Sequence, residues 1–308
     1  MNAKKLWLLI EALIVLSIIL LVLLFRVPLQ FLFIAILQGF TEWLPISSSG
    51  QTMIVSTYFF GISPENAYSL AIWLHLGTTI AVMVRFRKDF IIILKSLVQK
   101  DSVFDDTIIR KRNWIIWATL GTVITAIPLY ILFKIIFLDF FTAFQGDVIT
   151  LLISGLLIIT GVILIVTRRI FGNRKIVDTS KKSIQKDSFL SGLIQGVSIL
   201  PGISRSGITV GTILLEKYDQ DDALRLSFLM SVPVAIASIL VDIVLSEGSI
   251  LGTLGILTIL ITTIVSFIVG YITIDFLIKL AKKINFGYFC ILYGIVAFLI
   301  IVPFLVFA

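Results

Sequence analysis

Apolar residues in this chain gather into runs of about twenty positions, long enough to cross the hydrocarbon core of a bilayer as a helix. Such runs cover Leu6–Phe25, Tyr68–Val84, Trp114–Phe137, Val148–Thr167, Leu224–Leu245, Ile250–Ile274 and Tyr288–Phe307. They predict seven spans. Two further apolar stretches, Leu29–Phe60 and Phe189–Leu215, are interrupted by clusters of Pro, Gly and Ser that a continuous helix does not tolerate. Each reads as a helical hairpin that enters the membrane part-way. Backbone that leaves the helix at membrane depth must be buried in protein or line a wet cavity, because lipid offers it no hydrogen bonds. Both breaks are therefore candidate walls of a site.

Composition removes the competing classes. Of 308 residues, 58% are hydrophobic and 14% charged, against roughly 45–50% and about 25% in a soluble domain. A mean hydropathy of +1.11 over the whole chain cannot come from a single anchor. The net charge of +7 would suggest nucleic acid in a soluble chain, but the basic residues collect in loops between apolar runs, where they report orientation instead. No nucleic-acid partner is expected. Arg85–Asn113 holds eight Lys/Arg against four Asp, Arg168–Asp187 seven against two, and Lys279, Lys282 and Lys283 form a third cluster. With Lys4 and Lys5 inside, seven spans and two hairpins that return to their own side put all three clusters in the cytoplasm. Asp139, Asp147 and Glu247 then lie outside, the first hairpin opens to the outer face, and the second opens to the inner face. The start MNAKK has no small-residue cleavage motif before Arg26, so the first run reads as a retained helix. Glu11 within it has a structural or partner-helix role. Asp242 reads as a helix-end residue at the outer interface. Cys290, the only cysteine, is a small buried hydrophobe.

Self-comparison finds a repeat. The segment QGFTEWLPISSSGQ (Gln38–Gln51) resembles QGVSILPGISRSGI (Gln195–Ile208), pairing Gln38 with Gln195, Gly39 with Gly196, Ile46 with Ile203, Ser47 with Ser204, Ser49 with Ser206 and Gly50 with Gly207. Pro45 and Pro201 slip by one position. Each half then holds one hairpin and three spans. Three is odd, so the second copy inserts upside down, the inverted plan that places a site at the midplane between repeats. The predicted architecture is an all-α polytopic membrane protein: an additional N-terminal helix over 1–26, a first repeat over 27–187 and an inverted second repeat over 188–308.

Two tips meeting from opposite faces surround a cavity with helix N-termini, backbone N–H groups and hydroxyls, which is an anion site. Ser47, Ser48, Ser49, Ser204 and Ser206 supply hydroxyls. Gly50, Gly202 and Gly207 allow close backbone approach. Arg205 adds a planar guanidinium suited to phosphate, and Glu42 is the acid of the group. Ionised groups at membrane depth argue for a polar cavity; the bland alternative is a Glu42–Arg205 ion pair that only holds the repeats together. His75, the lone histidine, cannot build a zinc site of the usual kind. It is either hydrogen-bonded to a neighbour or available for proton transfer.

The motifs LQGFTEWLPISSSG and LPGISRSG, with HLGTTIAV and LSFLMSVP, resemble the undecaprenyl-diphosphate phosphatase family of the bacitracin-resistance type. The resemblance runs from about Val27 to the C-terminus. It implies two re-entrant hairpins, an inverted repeat, a site in the plasma membrane, and removal of the terminal phosphate from an isoprenyl diphosphate lipid with a divalent cation, Mg²⁺ or Ca²⁺. Membrane lipids are the surrounding partners, and a homo-oligomer is compatible with the fold. Carried over by position, Glu42 acts on metal or as acid/base, Ser48 is nucleophile or phosphate ligand, and Arg205 stabilises phosphoryl charge, with Ser204 and Thr209 as supporting donors. Two positions depart from the family: Gln38 stands where most members have glutamate and Gln51 where they have histidine. An amide takes no proton at neutral pH and binds Mg²⁺ more weakly than carboxylate. Gln38 and Gln51 are thus expected as neutral substrate-binding groups, with His75 replacing the lost base. The opposing expectation is a polyprenyl-phosphate flippase using the same anion site without hydrolysis.

Overall fold

A computed structural model describes residues 26–135, 145–167, 172–245 and 254–307. Helices fill most of them: α1 (Leu29–Thr41), α2 (Ser48–Ile54), α3 (Pro64–Arg85), α4 (Arg87–Val98), α5 (Asp106–Phe133), α6 (Gln145–Thr167), α7 (Lys181–Val197), α8 (Arg205–Leu215), α9 (Gln220–Leu245), α10 (Ile256–Lys283) and α11 (Phe286–Phe307). Among the described residues there is no strand. Five helices, α3, α5, α6, α9 and α10, are long and apolar enough to cross a membrane, which makes this a multi-pass membrane protein. The seventh expected span falls on α11. The first, Leu6–Phe25 with Glu11, lies outside the described residues, as do Asp139 and Glu247.

Both expected hairpins are two helices joined by a break. The first is α1, a tip at 42–47, and α2 running into a π-helical turn at Val55–Phe59; the second is α7, a tip at 198–204, and α8. Each long hairpin helix packs most extensively on a middle span of the other half: α7 on α5, and α1 on α10. Close approach needs residues without side chains. A Cβ on Gly39 would lie 2.8 Å from the Ser266 carbonyl oxygen of α10, and one on its repeat partner Gly196 would collide with Thr125 of α5. The packing thus follows the same exchange as the sequence repeat.

Two expectations need correction. The stretch Arg85–Asn113 is not a loop: it holds α4 and the first turns of α5, because Ile93 and Ser96 face inward while Arg87, Lys88 and Lys95 stay exposed. Asp242 is not at a wet helix end. It is 1% exposed and accepts from Ser69 Oγ at 2.8 Å and Trp73 Nε1 at 3.1 Å, tying α9 to α3. Cys290 is buried as expected, and its thiol lies 3.4 Å from the Pro45 carbonyl.

The described parts of the three basic clusters come to one end of the helix assembly. Asp89 takes Lys111 at 3.1 Å and Arg225 at 2.5 Å, Arg85 pairs with Asp275 at 2.9 Å, and Lys282 with Asp221 at 2.6 Å. Arg110 donates to the Thr179 carbonyl, linking the first cluster to the second.

Candidate active site

The tips touch. Ser47 N-caps α2, with Oγ accepting from Gly50 N at 3.4 Å, and Ser204 N-caps α8, with Oγ accepting from Gly207 N at 3.2 Å. Such caps satisfy N–H groups that the first helical turn leaves unpaired. Ser47 Oγ also accepts from Gly202 N of the opposite tip at 3.0 Å. A Cβ on Gly50 would lie 2.9 Å from that same nitrogen, and Gly202 itself has φ +105°, a conformation favouring glycine. Thr160 of α6 clasps the second tip: it donates to the Gly202 carbonyl at 3.1 Å and accepts from Ser204 N at 3.3 Å.

Glu42 is the hub. One carboxylate oxygen, Oε1, accepts from Arg205 Nη2 of the opposite tip. The other, Oε2, accepts from Ser48 Oγ at 2.7 Å and Gln38 Nε2 at 2.8 Å, and lies 3.2 Å from His75 Nε2 on α3. His75 Nδ1 faces the Ala71 carbonyl at 2.6 Å, so both ring nitrogens face oxygens. A carboxylate this deep has to be hydrogen-bonded and paired, and here it is both. The ion pair considered from sequence therefore forms, yet it does not close the site. Arg205 Nη1 is buried without a partner.

Two cavities meet at this hub. The smaller, about 30 Å³, is walled by Ser47, Ser48, Ser49, Ser204, Ser206 and the Glu42–Arg205 pair. The larger, about 100 Å³, extends between α3, α5 and α9. Glu42, Ser49, His75, Ser198 and Arg205 wall both. Three other expected binding groups stand back from the space. Gln38 sits behind Glu42, Gln51 Nε2 holds the tip through the Ile46 carbonyl at 2.9 Å, and Thr209 Oγ1 is 2.5 Å from Ser227 Oγ, joining α8 to α9. Gly50 and Gly202 serve the contact between tips. Residues missed from sequence are Ser198, Thr122, Gln195 and Ser231, which also wall the larger cavity. Only Gln195 carried a signal, as the repeat partner of Gln38.

The donors do not fit a cation caged by the protein. Glu42 is the one carboxylate at the tips, both its oxygens are engaged and its charge is balanced by Arg205. Among the described residues no three His, Cys, Asp or Glu side chains converge to hold a metal.

The site thus holds a buried guanidinium, with one nitrogen unmatched, between two capped helix N-termini of a multi-pass membrane protein. The chain belongs to the bacitracin resistance protein BacA family, whose model matches residues 31–299. It is 40% identical over 276 residues to an undecaprenyl-diphosphatase of Methanothrix thermoacetophila, covering 87% of this chain and 94% of that one. Similar relatives of the same name come from Methanococcoides burtonii, at 37% identity over 86% of this chain and 95% of the relative, and Haloarcula marismortui, at 34% over 85% and 92%.

Proposed function

We propose that this protein hydrolyses an undecaprenyl-type diphosphate to the monophosphate and inorganic phosphate, in the recycling of an envelope lipid carrier at the plasma membrane. One observation carries the reading: Arg205 Nη1 is a buried donor with no acceptor, on the wall of a serine-lined pocket. An unsatisfied buried donor is costly, by about 1–3 kcal/mol and more when charged, and a phosphate oxygen would satisfy it. Nothing in the relatives' names favours transport.

Phosphoryl transfer depends mainly on positioning and on stabilising developing charge. In this reading Arg205 and the N-termini of α2 and α8 hold the terminal phosphate. Ser48 Oγ attacks phosphorus as Glu42 Oε2, already its hydrogen-bond acceptor, withdraws the proton. The bridging P–O bond breaks and prenyl phosphate leaves; water then releases phosphate from Ser48, with His75 and Glu42 carrying the proton. Gln38 orients Glu42 rather than meeting substrate, so its neutrality costs no base. No step is assigned to a cation: these side chains would not hold Mg²⁺ or Ca²⁺, which would have to arrive with the diphosphate. The hairpins are read as re-entrant, the first opening outward, and the halves as an inverted repeat; the exchanged packing of α1 and α7 and the common placement of the basic clusters support this.

Purified protein in detergent, given undecaprenyl diphosphate and Mg²⁺, should release phosphate, and Arg205→Ala should lower the rate at least about a thousandfold. No release from folded wild-type protein would overturn the assignment.

A further inference from the structure

Gln195 of α7 is 1% exposed, and only one end of its amide is engaged. Nε2 donates to Thr122 Oγ1 at 3.2 Å and to the Met230 carbonyl at 3.4 Å, tying α7 to α5 and α9. Oε1 is buried without a partner. The amide has no reason to turn over. The Met230 carbonyl takes only a donor, and the Thr122 hydroxyl hydrogen is already given to the Ala118 and Gly192 carbonyls, at 2.8 and 3.1 Å, which leaves Thr122 as an acceptor too. Gln195 walls the larger cavity, so Oε1 is the group it offers there. An acceptor buried without a donor is costly; its ligand has to carry a hydrogen.

The same wall favours water over a second anion. Thr78, Ser198, Ser231 and Ser238 also line this cavity, and each gives its hydroxyl hydrogen to a backbone carbonyl at 2.7 to 3.1 Å. Together with Thr122 they present lone pairs. A phosphate oxygen, itself an acceptor, gains nothing from them, whereas a buried water finds partners for its hydrogens.

The reaction fixes where such a water has to stand. In phosphoryl transfer the entering and leaving oxygens lie roughly in line across phosphorus. Ser48 walls the smaller cavity and not the larger. Prenyl phosphate therefore departs on the side away from Ser48, and the water that later displaces Ser48 comes in from that side. Two spaces adjoin the smaller cavity. The larger cavity carries Glu42, His75 and Arg205 on its wall, while the cavity of about 160 Å³ beyond Ser206 carries none of them. Only a water in the first has a group to take its proton.

Resting on the diphosphatase reading and its Ser48 intermediate, we infer that Gln195 Oε1 binds the attacking water, accepting one of its hydrogens and turning the other toward the Glu42–His75 pair. The water oxygen bonds to phosphorus as the Ser48 Oγ–phosphorus bond breaks. One water proton passes to the pair, Ser48 Oγ takes back the proton that Glu42 withdrew, and inorganic phosphate is released. The two repeat partners then serve successive steps: Gln38 orients the acid for the first, and Gln195 orients the water for the second.

The test separates the two halves of turnover on the full-length protein in detergent. With undecaprenyl diphosphate, Gln195→Met should lower steady-state phosphate release about a hundredfold, yet form the first equivalent of undecaprenyl phosphate within about threefold of the wild-type rate. Phosphate should then collect on Ser48, read by mass spectrometry of its peptide. Gln195→Asn keeps the amide and draws its carbonyl back by one methylene, and it should give the same split. Damage that merely loosens α7 would slow both halves alike, so equal slowing, or none, in the folded variants overturns the assignment. A second readout needs no lipid: wild-type protein should exchange oxygen between inorganic phosphate and heavy-oxygen water, since phosphate re-forms the Ser48 ester and expels water. Both variants should lose this exchange, and exchange at the wild-type rate would refute the role of Gln195. Wild-type protein that releases no phosphate from the diphosphate defeats the diphosphatase reading itself, whereas wild-type turnover with both halves slowed equally in the variants defeats only the water site.

Discussion

The two hairpin tips share a backbone plan and divide the chemistry. Gln38 and Gln195, Gly39 and Gly196, and Ser47 and Ser204 occupy equivalent places, and the serines cap the short helices through the same third-residue N–H. Where the first tip has Glu42, however, the second has the apolar Ile199, and where the first has Ser48 the second has Arg205. Acid and hydroxyl come from one copy and the cation from the other. A site with one carboxylate, one guanidinium and two helix N-termini is therefore complete only when both copies are in contact. The two tips are similar cradles, and a handful of side-chain differences makes them complementary.

The strongest way to break that comparison is to remove the charge joining the halves. Glu42→Gln leaves the Arg205 guanidinium, 18% exposed, buried without its carboxylate, so the variant should lose about 3–5 kcal/mol of stability along with activity. The double change Glu42→Gln with Arg205→Met should regain most of the stability and none of the activity, since replacing a buried pair with neutral groups of similar size is often close to neutral. Thermal unfolding of both variants in detergent reads this directly. A loss under about 1 kcal/mol in Glu42→Gln would mean that the pair does not join the tips.

The division between the tips was partly legible in the chain. Spans and hairpin breaks follow from where apolar runs stop, because a break at membrane depth demands a protein or water environment, and the repeat follows from comparing the chain with itself. Glu42, Arg205, His75 and the serines stood out for a related reason: polar groups are conspicuous in a sequence this apolar. Less visible was which polar groups turn inward to the cavity. Gln51 and Thr209 lie within the motifs, but their partners are the Ile46 carbonyl and Ser227, and nothing in spacing distinguishes a residue that holds the tip from one that faces the pocket. Ser231 and Thr122 were missed because serine and threonine in spans usually bond to their own helix; Ser198, at the second tip, pairs in the repeat with Thr41, a position with no other mark. Asp242 was misplaced for want of any sequence signal pointing to Ser69 and Trp73 as its donors. The amphipathic α4 was hidden by its charges, which read as a loop.

The far ends of the hairpins differ as well, and acidity should sharpen that difference. At the end of α8 stands Glu216; its counterpart after α2 is Phe59, 77% exposed. Burial, and after it the nearby Asp187 carboxylate, raises the Glu216 pKa from 4.5 to about 8, against smaller opposing effects of Ser191, Arg174 and Lys186. Between those two values the folded chain keeps a proton that the unfolded chain has released. Stability is then greatest on the acid side, falls as pH rises through the window from about 4.5 to about 8, and levels off above it. Glu216→Gln mimics the neutral form, so it should flatten this slope and melt at a higher temperature than wild type at alkaline pH. An unchanged slope in the variant would remove the second hairpin's end as its source.

The finest distinction lies in the caps. Ser204→Ala removes one backbone acceptor, from Gly207 N, together with a 3.3 Å bond to the hydroxyl of Ser206, which itself lines the small cavity, and should cost about 1 kcal/mol, the usual magnitude for a lost N-cap. Ser47→Ala removes two, because the same oxygen also accepts from Gly202 N across the tips at 3.0 Å. Leaving a second buried N–H unmet adds about 1 kcal/mol or more, so the first cap should be worth roughly twice the second. Adding Arg205→Met to each serine variant separates local from cross-tip effects. The excess cost of Ser47→Ala should shrink in that background, where the tips are already less firmly held, while the cost of Ser204→Ala should stay the same. Equal costs for the two serines in the wild-type background would mean that the Ser47–Gly202 bond adds no stability and that Glu42 and Arg205 alone bring the two copies together.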